Sequence, residues 1–93
     1  MTPIHVKGKN AGKILLFALS TCVWCMKTKR FLDSLGVAYD YLDVDKLSGP
    51  ELEQVKKEID RWNPTGGFPT IVINDSKCVV GFKEDEIKKT LKV

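Results

Sequence analysis

Two cysteines, Cys22 and Cys25, stand three positions apart between an apolar run, Ile14 to Leu19, and a segment with helical periodicity. In that segment Thr28, Phe31, Leu32 and Leu35 fall at i, i+3, i+4 and i+7. The pattern predicts a buried strand, a short turn and a helix, with the first cysteine at the helix N-terminus. Unpaired backbone N–H groups and the helix dipole stabilise negative charge there. A thiolate is favoured over the thiol at such a place. A second thiol one helical turn further can attack a mixed disulfide and release the first partner. Cys22 and Cys25 are therefore expected to form a redox pair.

Other uses of the motif are weaker on chemical grounds. Zinc needs four ligands in tetrahedral arrangement. Only Cys78 and His5 remain as further cysteine or histidine, and they would have to converge from opposite ends of the chain. A purely structural disulfide closing so short a loop stabilises little, because the chain-entropy effect grows with loop length. A non-catalytic adaptor with a vestigial motif is a third reading.

The order of elements follows from pattern. Ile4-His5-Val6 is a candidate short strand, followed by a turn-rich stretch from Gly8 to Gly12. Lys13 to Leu19 reads as a central strand, apolar on both faces. A helix is expected from Cys22 or Val23 to Leu35, stopped by Gly36. Val37 to Val44 reads as a strand. Ser48 is the candidate N-cap, with Pro50 just inside and Glu51 three residues on, of a helix from about Pro50 to Trp62. Its buried stripe is Leu52, Val55, Ile59 and Trp62. Asn63 to Gly67 breaks the chain; Thr70 to Ile73 and Cys78 to Val80 form a hairpin around the turn Asn74 to Lys77. Lys83 to Leu91 is the last helix, acidic early and basic late. A helical crossover between the first two long strands implies a parallel pair, and helices must cover both sheet faces. The expected fold class is α/β, a four-stranded mixed sheet flanked by three helices with an extra N-terminal strand as an option. Residues 1–12 are read as an extension and 13–93 as one domain.

Composition excludes several function classes. Net charge is +3, too little to argue for nucleic acid, and the lysines are spread along helices as solvated faces. No apolar stretch approaches the roughly 18–20 residues of a membrane span. Met1 to Ala11 has no apolar signal-peptide core. An odd count of 3 cysteines fits no disulfide scaffold, so the expectation is a reducing cytoplasm. A monomer is also expected.

Three ordered stretches carry a family resemblance: Leu16 to Cys25, Phe68-Pro69-Thr70-Ile71-Val72-Ile73, and Val80-Gly81-Phe82-Lys83-Glu84-Asp85. Over Lys13 to Leu91 the chain resembles the thioredoxin-fold superfamily and, within it, the glutaredoxin-like redoxins. The resemblance implies that Cys22 is the exposed nucleophile and Cys25 the buried resolving thiol. It also implies that Pro69 is a cis-proline facing the disulfide, with the Phe68 backbone offering strand-like hydrogen bonds to a peptide. Thr21, Trp24, Phe68, Pro69, Thr70, Gly81 and Phe82 are the expected substrate-binding residues. Among them Thr21 is a candidate cap or hydrogen-bond donor to sulfur. Trp24 is a candidate exposed contact for partner proteins.

The departures from the family pattern narrow the expectation. Glutathione-using glutaredoxins typically carry a basic residue three positions before the first cysteine, where this chain has Leu19. They usually have Gly-Gly where this chain has Gly81-Phe82. The first change removes a charge and the second removes open space for a carboxylate. Gly81-Phe82-Lys83 followed by an acidic residue looks more like the glutaredoxin-like electron donors of ribonucleotide reductase, which a protein reductase recycles. The expected activity is therefore thiol–disulfide exchange with protein substrates such as ribonucleotide reductase and a protein disulfide reductase as donor. No bound cofactor is expected. Glutathione is a disfavoured donor, and an iron–sulfur cluster on the first cysteine is an alternative from another class. Cys78 and His5 are read as outside the chemistry, and Lys27, Lys29 and Arg30 as a solvated helix face.

Overall fold

The computed structural model describes residues 3–93. Five strands and three helices follow in the order β1 (Ile4–Val6), β2 (Ile14–Ala18), α1 (Val23–Leu35), β3 (Tyr39–Asp43), α2 (Gly49–Trp62), β4 (Thr70–Ile73), β5 (Lys77–Val80) and α3 (Glu84–Leu91). They form one mixed sheet in the order β1-β3-β2-β4-β5. β2 and β3 run parallel, with Ala18 opposite Asp43. β4 is antiparallel to both β2 and β5, and β1 is antiparallel to β3. The expected mixed sheet is thus present, and the optional N-terminal strand exists as its edge.

Alternation along β2 divides the core. Ile14, Leu16 and Ala18 point to one face, where Cys25 and Leu32 of α1 and Ile87 and Leu91 of α3 close over them. Phe17 belongs to the other face, with Leu42, Val72 and the α2 residues Val55 and Ile59. β2 is buried on both sides, which is why its sequence is a continuous apolar run rather than an alternating one. Each fully buried Leu, Ile or Phe contributes about 1.5–3 kcal/mol relative to exposure. The segment with Cys22 and Cys25 leaves the C-terminal end of this strand, so the best-anchored element in the sheet positions it.

Three local expectations are corrected. The strand expected over Val37 to Val44 is shorter, because Val37 pairs with Lys9 of the extension and Val44–Lys46 curls into a 3-10 turn. Gly8 permits that approach: a Cβ there would lie 2.5 Å from the Val37 carbonyl carbon. Ser48 is the N-cap of α2, but its side chain makes no capping hydrogen bond. The next residue, Gly49, has φ +61, so the chain enters this helix without the regular geometry a capping box requires. The third correction concerns Lys29, whose side chain is only 22% exposed and pairs with Asp43 rather than facing solvent. Gly36 ends α1 as expected, in the left-handed conformation with φ +70.

Candidate active site

Cys22 is itself the N-cap of α1. Its amide donates to the Leu19 carbonyl at 3.1 Å, which closes the turn after β2. Its Sγ accepts the Cys25 N–H at 3.2 Å. The capping role considered for Thr21 thus falls to the cysteine, and Thr21 is exposed. An Sγ that accepts a helix N-terminal amide is held where negative charge is best tolerated. The turn is also pinned from outside, because Ser20 donates its amide to Asp45 at 2.8 Å and its hydroxyl to the other carboxylate oxygen. These two bonds hold the Asp45 carboxyl below the usual range.

Cys25 has a different setting. It is 0% exposed and belongs to the α1–α3 core. Burial, followed by the hydrogen bond with Cys22, pushes its thiol from 9.0 up to about 12. One sulfur is therefore half-exposed at a helix start and the other is enclosed, although only two residues separate them. Cys78 lies on β5, and burial and then Glu86 push its thiol up. His5 is exposed on β1 and bonds Asp40 through Nδ1 at 2.7 Å. β1 and β5 are the two opposite edges of the sheet, so His5 and Cys78 do not come together. Among the described residues no three His, Cys, Asp or Glu side chains form a group able to hold a metal ion.

The Phe68–Pro69 peptide bond is cis. Phe68 lines grooves on both of its sides. One, of about 300 Å³, is bounded by Trp24, Pro69, Gly81, Phe82 and Lys83. The other, of about 500 Å³, is bounded by Leu19, Leu47, Leu52, Ile59 and Gly67 with Lys56 and Asp60 at its rim. Trp24 is 54% exposed. Phe82 packs against it at 6.2 Å between ring centroids and against Phe31 edge-on at 5.9 Å. The Lys27 ammonium lies 4.6 Å from the Trp24 ring centre. Gly81, at φ +87, donates its amide to the Pro69 carbonyl at 2.9 Å, which ties the start of the last connection to the proline.

A buried polar group missed in the sequence holds this loop. Asn63 is 4% exposed. Its Nδ2 donates to the Gly66 carbonyl at 2.8 Å and to the Thr70 hydroxyl at 3.1 Å. Thr70 in turn donates to the Gly67 carbonyl at 2.9 Å, and Thr65 donates to Asn63 Oδ1 at 2.9 Å. Among the described residues no buried side-chain nitrogen or oxygen lacks a partner. Thr70 therefore acts on the loop from within, through its buried hydroxyl. The sequence signal was Asn63 itself, a polar residue following the apolar stripe of α2.

One family model matches the stretch that holds both the strand–turn–helix with Cys22 at the helix start and the cis-proline loop. The family description is Glutaredoxin, and the matched residues are 14–78. The chain belongs to the glutaredoxin family. The glutaredoxin of Methanosarcina mazei Go1 is 50% identical, covering 98% of this chain and 88% of that one, with a TM-score of 0.92. Methanoredoxin of Methanosarcina acetivorans is 46% identical, covering 92% of this chain and 90% of that one, with a TM-score of 0.88. A glutaredoxin-like 8.6 kDa protein in a rubredoxin operon of Clostridium pasteurianum is 31% identical over 84% of this chain and 96% of its own length. The glutaredoxin-like recognition and the thioredoxin-like fold stand on these likenesses together. No described helix is long and apolar enough to cross a membrane.

Proposed function

We propose that this glutaredoxin family member is a dithiol–disulfide oxidoreductase that reduces protein disulfides through Cys22 and Cys25. The observation that carries the reading is the unequal placement of the two sulfurs, Cys22 capping α1 half-exposed and Cys25 fully enclosed beside it. Cys22 Sγ attacks a substrate disulfide, forming a Cys22–substrate bond and releasing one substrate sulfur as a thiolate that takes up a proton. Cys25 then attacks Cys22 Sγ. The Cys22–substrate bond breaks, the second substrate thiol leaves with a proton, and the two electrons gained by the substrate are balanced by the new Cys22–Cys25 bond. The cis Phe68–Pro69 backbone and the grooves beside it form the surface on which the substrate chain lies.

Recycling by a protein reductase fits the site better than recycling by glutathione. Leu19 brings no cation to a carboxylate, and Phe82 fills the place where a glycine would leave space. The same two features disfavour a cluster that borrows glutathione as a ligand. The rubredoxin-operon setting of the clostridial relative supports a protein redox partner. Ribonucleotide reductase is the substrate suggested by Gly81-Phe82-Lys83, and the cytoplasm is the compartment that the chemistry needs. A recycling assay tests this reading. It compares glutathione plus glutathione reductase with thioredoxin-reductase-type and ferredoxin-dependent disulfide reductases, using insulin disulfide reduction as readout. Turnover is expected with a protein reductase. Turnover with glutathione as fast as with any of them overturns the reading.

A further inference from the structure

Lys29 follows Cys25 by four residues on α1, so the two side chains share one helix face a turn apart. The Lys29 side chain is 22% exposed, and its Nζ lies 3.1 Å from Asp43 Oδ1, on a carboxylate whose side chain is 10% exposed. The same ammonium sits 4.0 Å from the Tyr41 ring centre. Lys46 shares the Asp43 carboxylate at 3.9 Å, so that carboxylate is divided between two cations. A largely enclosed lysine loses hydration, and this one leaves α1 one turn after the enclosed Cys25.

We propose that Lys29 is a positioning group for the resolving step: its ammonium, anchored by Asp43 and Tyr41, stabilises the negative charge that develops on Cys25 Sγ as Cys25 attacks the mixed disulfide. The proposal rests on the dithiol reading above and assigns the assistance its second step requires. Cys25 must lose its proton to form the Cys22–Cys25 bond, and the departing substrate thiolate gains one as its bond to Cys22 breaks. The groups acting on Cys25 are Cys22 and the Leu19 backbone, before α1, and Lys29, on α1, with Asp43 of β3 behind Lys29. The core that contains Cys25 brings apolar residues from the other elements: Leu16 and Ala18 of β2, Ile71 of β4, Val79 of β5 and Ile87 of α3. Burial and Cys22 hold the proton on Cys25; the hydrogen bond with the Leu19 backbone and then the Lys29 cation oppose them.

The test follows the two releases of thionitrobenzoate when the reduced full chain meets 5,5'-dithiobis(2-nitrobenzoate), with Cys78→Ser in every arm to remove the third thiol. The first release reports Cys22 attack and the second reports resolution by Cys25. A one-unit change in the acidity constant of the attacking thiol changes its thiolate fraction tenfold, and the opposing change in nucleophilicity leaves a net change of about three- to fourfold. Lys29→Gln is expected to slow the second release by about that factor throughout pH 5–8, with the first release within about twofold of the parent. Lys29→Arg should restore it. Asp43→Asn, which keeps an amide oxygen to anchor the ammonium but removes the charge that compensates it, should speed the second release. Merely structural loosening would move both substitutions in the same direction. Equal slowing in Lys29→Gln and Asp43→Asn, or an unchanged second release in Lys29→Gln, overturns the proposal. If Asp43→Asn does not fold, the contrast between Lys29→Gln and Lys29→Arg decides. Absence of any second release in the parent overturns the dithiol reading instead.

Discussion

Cys25, at the start of α1, and Cys78, on β5, both hold thiols that burial pushes up, yet their surroundings differ in kind. Cys25 lies beside a second sulfur, and the cation acting on it is Lys29. Among the described residues no hydrogen bond brings a sulfur to Cys78, and the charge acting on it is the anion of Glu86. Burial, complete at Cys25 and partial at Cys78, would by itself make Cys25 the less reactive of the two. Redox use is set instead by which groups stand within reach of the sulfur, and those come from a helix start in one case and a hairpin in the other.

The largest effects should come from replacing the cysteines one at a time. Cys22→Ser should lower disulfide reduction on the order of a hundredfold or more, because the thiolate is the nucleophile and no other one occupies the helix start. Cys25→Ser should leave Cys22 reactive and accumulate mixed disulfides, visible on a non-reducing gel. Cys78→Ser should leave insulin reduction unchanged. A loss of activity in Cys78→Ser comparable to that in Cys22→Ser would dissolve the contrast between the two regions.

Alkylation gives a pH-resolved version. With its thiol pushed to about 12, Cys25 is about one ten-thousandth thiolate at pH 8, and that fraction rises tenfold with each pH unit. Iodoacetamide added to the reduced protein near pH 7 should therefore modify Cys22 first, as read by peptide mass spectrometry. Equal labelling of Cys22 and Cys25 under these conditions would remove the division of roles. The next effect concerns the rim of the redox site. Leu19→Lys with Phe82→Gly should raise glutathione-supported turnover about tenfold, the worth of one well-formed charge-assisted hydrogen bond. No gain would show that neither position limits glutathione. The smallest effect belongs to the hairpin: Glu86→Gln should speed Cys78 alkylation only about twofold, because exposed charges act weakly through water.

The parts of this molecule that were legible in the sequence are those fixed by local spacing. The strand–turn–helix around Cys22 and the hairpin around Asn74 each depend on neighbours in the chain. The parallel pairing of β2 with β3 followed from the handed crossover through α1. Lys29 was read as a solvated lysine because its partner, Asp43, is brought to it by the register that sets Ala18 opposite Asp43. Asn63 was read only as a chain break because its partners are carbonyls of a loop whose path the sequence does not specify. Phe82 was seen as bulk at one position. Its contacts with both Trp24 and Phe31 depend on α1 and the last connection meeting in space.

The edges of the sheet carry a consequence for how other chains can meet this one. β1 offers three residues and β5 four, so neither flank exposes a row of amides and carbonyls long enough to template another strand. Edge-on recruitment of a polypeptide, and with it stacking into fibres, is curtailed on both sides. On the proposed function, a visiting disulfide would meet the loops at the end of β2 that carry Cys22 rather than an edge strand.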